Sequence, residues 1–267
     1  MKVLAVHADV VVTISGFWQT TCTAVRGGDE GFVIDSPVLP DELEALPKLL
    51  EQAGFPVSGL LTTHADWDHL LGCLAFPQAS LGCAESTAAR LEAEPGAAQR
   101  ELRKFDEEHY VSRPRPLSLA GVQPLPVPGR LALGADEELE LHPTGGHTAD
   151  GMAVLIPRAA MLVCGDYLSP VEIPWISGDG SLGAYLATLE RLKPLVERSE
   201  TVIPGHGGPL AREAALEVLA EDAAYLRALE AEGAQAPLPR SRRTAPQREI
   251  HAENAARVST TPTTTRR

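Results

Sequence analysis

Short apolar runs separated by glycine-containing turns open the chain, at residues 10–14, 21–25 and 31–34. Runs of this length predict β-strands, and their close spacing predicts a β-meander that ends at residues 35–37. Leucines then recur at helical spacing over residues 41–53, between Pro40 and Gly54. A further apolar run at 57–61 predicts another strand. This strand, helix, strand order indicates α/β organisation.

The later part of the chain repeats this alternation. Apolar runs at 139–141, 152–156, 160–163 and 201–203 predict strands, and the second and third of them a hairpin. Helical periodicity predicts helices over 70–76, 85–100, 182–196 and 212–232, the second interrupted by Pro95 and Gly96. The proline-rich stretch within 103–128 predicts an irregular segment rather than a second domain.

Four potential metal ligands follow the run at 57–61 within six residues: His64, Asp66, Asp68 and His69. An extended strand end sends alternate side chains the same way, so the first three are expected on one side, with the fourth added by a turn into a helix. A segment this short cannot surround one ion with four bonds. It predicts two ligands for each of two adjacent ions, and the remaining ligands must come from other parts of the chain.

Three later loops contain the completing candidates, His147, Asp166 and His206, each next to a glycine. Each loop follows a predicted strand, and glycine lets the backbone approach a ligand sphere closely. Isolated histidines are interpreted as ordinary, which applies to His7, His109, His142 and His251. Four strand ends are thus expected to converge, and together they carry seven potential ligands. This pattern predicts a metal site.

In these motifs and their order, the chain resembles the metallo-β-lactamase superfamily of metal-dependent hydrolases over about residues 1–230. The last three loops are most similar to the glyoxalase II and lactonase branches. The resemblance implies a four-layer αββα sandwich, with two divalent ions, most commonly zinc, in the cleft between its sheets. Carried over by position, it implies a first ion held by His64, Asp66 and His147, a second held by Asp68, His69 and His206, and Asp166 bridging them.

One ligand departs from the pattern of that family. The common motif is His-x-His-x-Asp-His, and this chain has Asp66 where the second histidine is expected. An added carboxylate lowers the net positive charge of the centre and shifts its preference from zinc toward harder ions such as manganese or iron. A carboxylate at this position resembles the glutamate of the family's flavodiiron branch, so the sequence leaves the identity of the metal open.

Several residues near the motifs are candidates for catalysis and for the substrate pocket. We expect Asp68 to orient the nucleophile or shuttle its proton, and Tyr167 to donate a hydrogen bond to a developing oxyanion. Trp18, in a predicted hairpin tip, and Trp175, in a proline-rich loop after Asp166, are candidate pocket walls. Two interpretations stay open for Phe105, His109 and Tyr110, a substrate lid or a solvated helix.

The composition is that of a soluble globular protein, with 44% hydrophobic and 22% charged residues over 267 positions. Residues 1–233 predict one catalytic domain, because no proline- or serine-rich linker interrupts them. The first residues contain no signal-peptide or membrane-spanning pattern, and the four cysteines form no Cys-x-x-Cys pair, so a cytoplasmic location is expected.

From residue 234 the apolar periodicity stops, and a disordered tail is predicted over 234–267. The tail has seven arginines and two glutamates, a net charge of plus five, which leaves minus eighteen on residues 1–233 out of the chain's minus thirteen. A body this acidic should repel nucleic acid and offers no membrane contact, so the expected partner is a small molecule. A homodimer stays open.

These observations favour hydrolysis of an ester, thioester or lactone by a bridging hydroxide, over hydrolysis of a phosphoester. The carboxylate at Asp66 motivates a rival class, an iron oxidoreductase such as a persulfide dioxygenase or a diiron enzyme. A third class is a metal-stabilised binding protein without turnover, which intact ligands and aromatic walls also fit.

Overall fold

The computed structural model of the chain describes residues 1–119 and 121–260. Its first sheet has seven strands, and their spatial order follows the chain. The meander is antiparallel as far as the fourth strand, and the remaining strands join in parallel. The strands are β1 (Lys2–His7), β2 (Val10–Ile14), β3 (Thr21–Gly27), β4 (Glu30–Asp35), β5 (Gly59–Leu61), β6 (Leu81–Ala84) and β7 (Val122–Leu125).

The second sheet has six strands: β8 (Gly129–Ala132), β9 (Glu138–Pro143), β10 (Met152–Ile156), β11 (Met161–Val163), β12 (Thr201–Ile203) and β13 (Leu210–Ala211). Their spatial order is the reverse of the chain order, β13 to β8, and only β11 and β12 pair in parallel. The α-helices of the described residues are α1 (Pro40–Gln52), α2 (Gly72–Ala75), α3 (Glu85–Ala93), α4 (Ala97–Glu108), α5 (Leu182–Glu197), α6 (Arg212–Glu232) and α7 (Ala245–Thr260).

Three apolar cores separate four layers. Between the sheets, β2 side chains such as Val12 pack with side chains of β10 and β11 such as Val154. On its other face the first sheet packs against α1, α2 and α4, and the second sheet packs against α5, α6 and α7. Strands buried on both faces explain the nearly uniform apolar runs in the sequence. The predicted αββα sandwich is confirmed.

Most local predictions hold, and the misses have physical causes. The strands at 10–14 and 201–203 and the helix at 212–232 have the predicted bounds. The helix expected over 85–100 is divided at Pro95 and Gly96 into α3 and α4, and α4 continues to Glu108, inside the segment predicted to be irregular. The sequence missed β1, whose outer face is exposed, and β7, an edge strand that contains Pro124. It also missed the short strands β6, β8 and β13.

The prediction of a disordered tail is wrong for residues 245–260, which form α7. Ile250, Ala255 and Val258 of this segment pack against the apolar core, and polar anchors, which periodicity cannot detect, hold it and the residues before it. The Arg242 side chain is fully buried, and its guanidinium pairs with Asp222 of α6 at 2.6 Å and also donates to the backbone carbonyl oxygens of Ser169 and Glu172. Residues 261–267, the end of the predicted tail, lie outside the described residues.

Two further observations bear on the sequence predictions. The four cysteines are free, and Cys164 is a buried thiol that donates to the Tyr167 carbonyl oxygen at 3.1 Å. Over residues 1–119 and 121–260, no helix combines the length and the apolar character needed to cross a membrane.

Candidate metal centre

The seven predicted ligands come together at one end of the cleft between the two sheets. His64 to His69 follow β5 of the first sheet, while the loops after β9, β11 and β12 of the second sheet carry His147, Asp166 and His206. The two halves are joined beside the site, because the Thr21 amide donates to the Gly205 carbonyl oxygen at 2.7 Å. Gly205 is required there, since a Cβ atom at this position would clash with the Asp166 carboxylate.

The ligating atoms form two triads that share one carboxylate. In the first triad, Asp66 Oδ2 lies 3.6 Å from His64 Nε2 and 3.3 Å from His147 Nε2. In the second, Asp68 Oδ2 lies 3.6 Å from His69 Nε2 and 3.5 Å from His206 Nε2. Asp166 Oδ2 lies 3.4 Å from His147 Nε2 and 3.3 Å from His206 Nε2, so this carboxylate is placed between the triads.

This donor set fits divalent ions. Donors about 2.1 Å from a tetrahedral ion lie roughly 3.4 Å from one another, close to the distances between the side chains here. Five buried atoms of the cluster residues have no hydrogen-bond partner within the described part of the chain: His69 Nδ1, which faces outward, and four that face the centre, namely Nε2 of His64, His69 and His147 and Oδ1 of Asp166. Buried polar atoms are rarely left unpaired, so orphaned atoms that face one point indicate that the site is built for cations.

The outer nitrogen of each histidine has a partner of its own. His64 Nδ1 lies 3.0 Å from Thr63 Oγ1, and His147 Nδ1 lies 3.0 Å from the Trp175 carbonyl oxygen. His206 Nδ1 lies 3.1 Å from the Trp18 carbonyl oxygen, and His69 Nδ1 lies 3.1 Å from Asp35 Oδ2. Partners of this kind set the ring orientation and leave Nε2 for the ion.

Sequence reasoning missed Asp35, whose carboxylate binds Thr63, the residue directly before His64. Asp35 is buried and has a φ of 58°. Its carboxylate accepts hydrogen bonds from the Thr63 amide and hydroxyl at 2.8 and 2.9 Å. A backbone strained in this way is retained where the surroundings require it. A signal was present, because Asp35 ends the strand parallel to β5, so both strands end at the same edge.

Carboxylates dominate the electrostatics of the cluster. Burial opposes protonation of His147, but Asp66 and Asp166 outweigh it and raise its pKa to about 9. Burial likewise opposes protonation of His206, and Asp166 and Glu172 raise its pKa to about 10. The histidines in turn overcome burial and hold the pKa of Asp66 well below its usual range. The carboxylates thus favour protonated imidazoles in the cluster, and a cation that binds at Nε2 must displace these protons.

A cavity of about 1680 Å³ opens over the centre. All three tryptophans of the chain, Trp18, Trp67 and Trp175, line it, and so does Asp68. A cavity of this size can accommodate the apolar part of a substrate against the tryptophan rings.

Tyr167 has a different place from the one predicted. Its side chain is 4% exposed, and its hydroxyl accepts a hydrogen bond from the His147 amide at 3.2 Å. Tyr167 is absent from the cavity lining over the described residues. The predicted hydrogen bond to an oxyanion is therefore a wrong assignment, and Tyr167 instead supports the loop that carries His147.

Phe105, His109 and Tyr110, which the sequence left open as a substrate lid or a solvated helix, differ in their surroundings. Phe105 is buried and packs against Phe17, Trp18 and Trp67, with ring centroids 4.7 to 5.4 Å apart. His109 stacks on the Phe105 ring at 4.4 Å, whereas Tyr110 is 95% exposed. Phe105 thus packs behind the tryptophan rings that line the cavity, whereas Tyr110 fits the interpretation of a solvated helix.

The sequence also missed α7 as part of this site. Gln247 and Asn254 lie on one side of α7 and accept hydrogen bonds from the amides of Ile173 and Ile176, at 2.7 and 2.8 Å. Asn254 also donates to the Pro174 carbonyl oxygen at 2.7 Å. The C-terminal helix therefore holds the loop that contains Trp175, and through the Trp175 carbonyl oxygen it reaches His147.

The fold and the site together define a class, an αββα sandwich with metal-ligating side chains clustered between its sheets. A sequence profile of the Metallo-beta-lactamase superfamily matches residues 15–206, which is most of the chain and includes all seven clustered residues. The chain belongs to the metallo-β-lactamase superfamily of metal-dependent hydrolases. No curated protein matches it in a sequence comparison.

Solved structures with this fold include several relatives of low identity. The metallo-beta-lactamase family protein TTHA1429 from Thermus thermophilus has a TM-score of 0.67 and 22% identity, over 94% of this chain and 92% of that one. TTHA1623 in a di-iron-bound form has a TM-score of 0.61 and 23% identity, over 78% and 97%. DIM-1 metallo-beta-lactamase exposed to ceftazidime has a TM-score of 0.61 and 19% identity, over 82% and 94%. Identities this low establish the fold alone.

Proposed function

We propose that the protein is a binuclear metal-dependent hydrolase of a small-molecule ester, thioester or lactone. The observation that carries the proposal is the set of orphaned Nε2 and carboxylate atoms that face one another at the floor of an aromatic cavity. His64, Asp66 and His147 would hold one ion, Asp68, His69 and His206 the other, and Asp166 both. Such ions, when bound, make water nucleophilic at neutral pH and polarise a substrate carbonyl.

The chain's own residues supply orientation, proton transfer and shielding. Asp68 lines the cavity beside His69 and His206, so its carboxylate can orient the attacking water and take up its proton. The tryptophan walls bind the apolar part of the substrate and exclude bulk water, which strengthens the electrostatic interactions inside. The proton is then available to the leaving group from the same carboxylate.

The charges around the cavity support a carbonyl substrate over a phosphoester. Arg90 lines the cavity, but its guanidinium is already paired with Asp66, Asp150 and Asp179 at 3.0, 2.8 and 3.5 Å. Glu172 adds another carboxylate to the lining, and burial raises its pKa. A substrate without anionic oxygens avoids repulsion from these carboxylates.

The test combines metal content with activity. Protein purified without added metal or chelator is examined by elemental analysis and then assayed on matched p-nitrophenyl and lactone substrates, with a phosphodiester for comparison. His64→Ala and Asp166→Ala should abolish hydrolysis and lower metal content together, while the control His142→Ala, a histidine outside the cluster, should change neither. Full activity in either ligand variant would reject the assignment.

A second candidate is an iron-dependent oxidoreductase, favoured by the carboxylate that Asp66 adds to the first triad. The same elemental analysis decides between the two. About two zinc or manganese ions per chain support the hydrolase. Predominantly iron, with oxygen consumption in place of ester cleavage, supports the oxidoreductase. Bound metal without turnover of any substrate would support a binding protein.

A further inference from the structure

Arg90 of α3 contacts the one ligand that departs from the family's usual motif. Its Nη2 atom lies 3.0 Å from Asp66 Oδ1, while Asp66 Oδ2 is turned toward His64 and His147. The two carboxylate oxygens of Asp66 thus have different partners. One is bound to the guanidinium, and the other faces the first triad.

The same guanidinium reaches the backbone of the motif through a second carboxylate. Arg90 Nη1 lies 2.8 Å from Oδ1 of Asp150, whose side chain is 2% exposed. The other oxygen of Asp150 accepts a hydrogen bond from the Ala65 amide at 3.0 Å. Ala65 lies between His64 and Asp66, so Arg90 acts on the side chain of Asp66 and on its backbone segment. The planar fork of arginine makes such a double contact possible, and lysine cannot reproduce it.

Charge gives this contact a second role. Asp66 brings one negative charge that a histidine at the same position would not bring, and Arg90 brings one positive charge within 3.0 Å of it. The side chain of Arg90 is 22% exposed and that of Asp66 17%, so the pair is screened less than a surface pair. We infer that Arg90 is a positioning residue that aims Asp66 Oδ2 at the first ion and offsets the charge of this unusual ligand. The inference rests on the proposed metal centre.

The inference predicts that positions 66 and 90 depend on each other. With Asp66 present, loss of Arg90 frees its carboxylate and leaves Asp150 buried without its counter-ion, so metal binding weakens, by about tenfold for a lost supporting contact. With histidine in place of Asp66, loss of Arg90 still leaves Asp150 without its counter-ion, but no ligand carboxylate is freed, and the repulsion between the guanidinium and the nearby cation is removed. Loss of Arg90 in that background therefore weakens metal binding less.

A double-mutant cycle tests this dependence. The chain is compared with Arg90→Met, Asp66→His and the double variant, and Zn²⁺ affinity is measured by competition with a chromophoric chelator, alongside stoichiometry. We expect Arg90→Met to lower Zn²⁺ affinity more with Asp66 than with histidine at that position, with a coupling of at least about fivefold. Effects of Arg90→Met that agree within twofold in both backgrounds would overturn the inference.

Two further variants keep the result interpretable. Arg103→Met removes an exposed arginine of α4 and should leave Zn²⁺ affinity within twofold. Arg90→Lys retains the charge but not the fork, and should bind Zn²⁺ with intermediate affinity even if Arg90→Met fails to fold. Equal affinity of Arg90→Lys and the unsubstituted chain would argue against the positioning role.

Urea unfolding of the metal-free variants separates a structural role from the proposed one. A purely structural Arg90 would change unfolding but leave the Zn²⁺ affinity of the folded fraction unchanged, contrary to the inference. The cycle also separates this inference from the proposed function. Two Zn²⁺ ions bound without coupling would reject only the role of Arg90, whereas no binding of Zn²⁺, Mn²⁺ or Fe²⁺ by the unsubstituted chain would reject both.

Discussion

Single residues around the ligands determine the tautomer and the ring orientation of each metal-ligating histidine. Thr63 is 1% exposed, and its hydroxyl lies between His64 Nδ1 and the Asp35 carboxylate, at 3.0 and 2.9 Å. A fixed partner on the outer nitrogen sets the tautomer and the ring plane. The metal chemistry of His64 is therefore expected to depend on a neighbour that cannot itself reach the ion.

Thr63→Val should lower Zn²⁺ affinity by roughly tenfold or more, because it removes this hydroxyl at nearly constant volume. Chelator competition measures the change. Thr23→Val is the matched control, since the Thr23 hydroxyl is buried in β3 and has no hydrogen-bond partner within residues 1–119 and 121–260. Equal losses in both variants would show that general destabilisation, not the contact with His64, is responsible.

Glu42 shows the same principle away from the site, at the start of α1. Its buried carboxylate accepts hydrogen bonds from the Ser15 hydroxyl at 2.6 Å and the Gly16 amide at 2.7 Å. Burial alone would raise its pKa, but these bonds outweigh burial and lower it. The ionised form is therefore favoured by folding, and it joins the β2–β3 turn to α1.

Glu42→Gln should reduce the free energy of unfolding at pH 7 by about 2 kcal/mol, the scale of a hydrogen bond to a charged group. Because the folded pKa is lowered, this contribution is complete above the unfolded pKa of about 4.3 and disappears as pH falls through the folded value. Urea unfolding at several pH values measures it, with the exposed Glu44→Gln as control. A difference that persists unchanged at pH 2 would contradict the linkage.

At the scale of elements, α7 joins two parts of the sandwich that are distant in sequence. Asn254 is fully buried and binds the Ile176 amide, the Pro174 carbonyl oxygen and the Tyr225 hydroxyl. It thus ties the cavity loop to α6. Helices with little apolar periodicity can be stable when tertiary contacts of this kind hold them, and propensity is then a weak guide.

Asn254→Ala should lower the free energy of unfolding by about 2–4 kcal/mol, since three partners lose a buried hydrogen bond. It should also expose Trp175, whose indole donates to Glu253 of the same helix at 3.0 Å. Acrylamide quenching in a Trp18→Phe/Trp67→Phe background reports on Trp175 alone. Glu249→Ala, an exposed change on α7, should alter neither measurement. Unchanged quenching in Asn254→Ala would mean that α7 does not hold the loop.

At the scale of the whole molecule, the two halves of the sandwich meet at the metal centre. The first sheet contributes His64, Asp66, Asp68 and His69, and the second contributes His147, Asp166 and His206. Nearby carboxylates raise the pKa values of His147 and His206, so protons on these rings must be released when cations bind. Metal binding should therefore stabilise the fold and depend on pH.

Zn²⁺ at 100 times its dissociation constant should raise the free energy of unfolding by about 2.7 kcal/mol. The affinity should increase from pH 6 toward pH 9, because the pKa values of His147 and His206, about 9 and about 10, require that protons leave. Calorimetry in two buffers of different ionisation enthalpy measures the protons released. Binding without proton release at pH 7 would show that the histidines are already neutral.

The sequence by itself determined most of the buried strands and the seven clustered side chains, and its resemblance to a known family implied the sandwich. Buried strands and glycine-flanked loops leave local patterns, because burial sets the period of apolar residues and close approach demands glycine. The ligands could be found because they follow such strands directly.

Only the tertiary structure decided what surrounds the ligands. Arg90 and Asp150 lie sixty positions apart, and the partners of α7 lie further from it, so no local period records these contacts. Tyr167 was misassigned because nearness to Asp166 in sequence does not fix the direction of a side chain. Buried polar contacts between distant segments depend on the packing of whole layers, which is why the tail appeared disordered and yet forms a wall of the site.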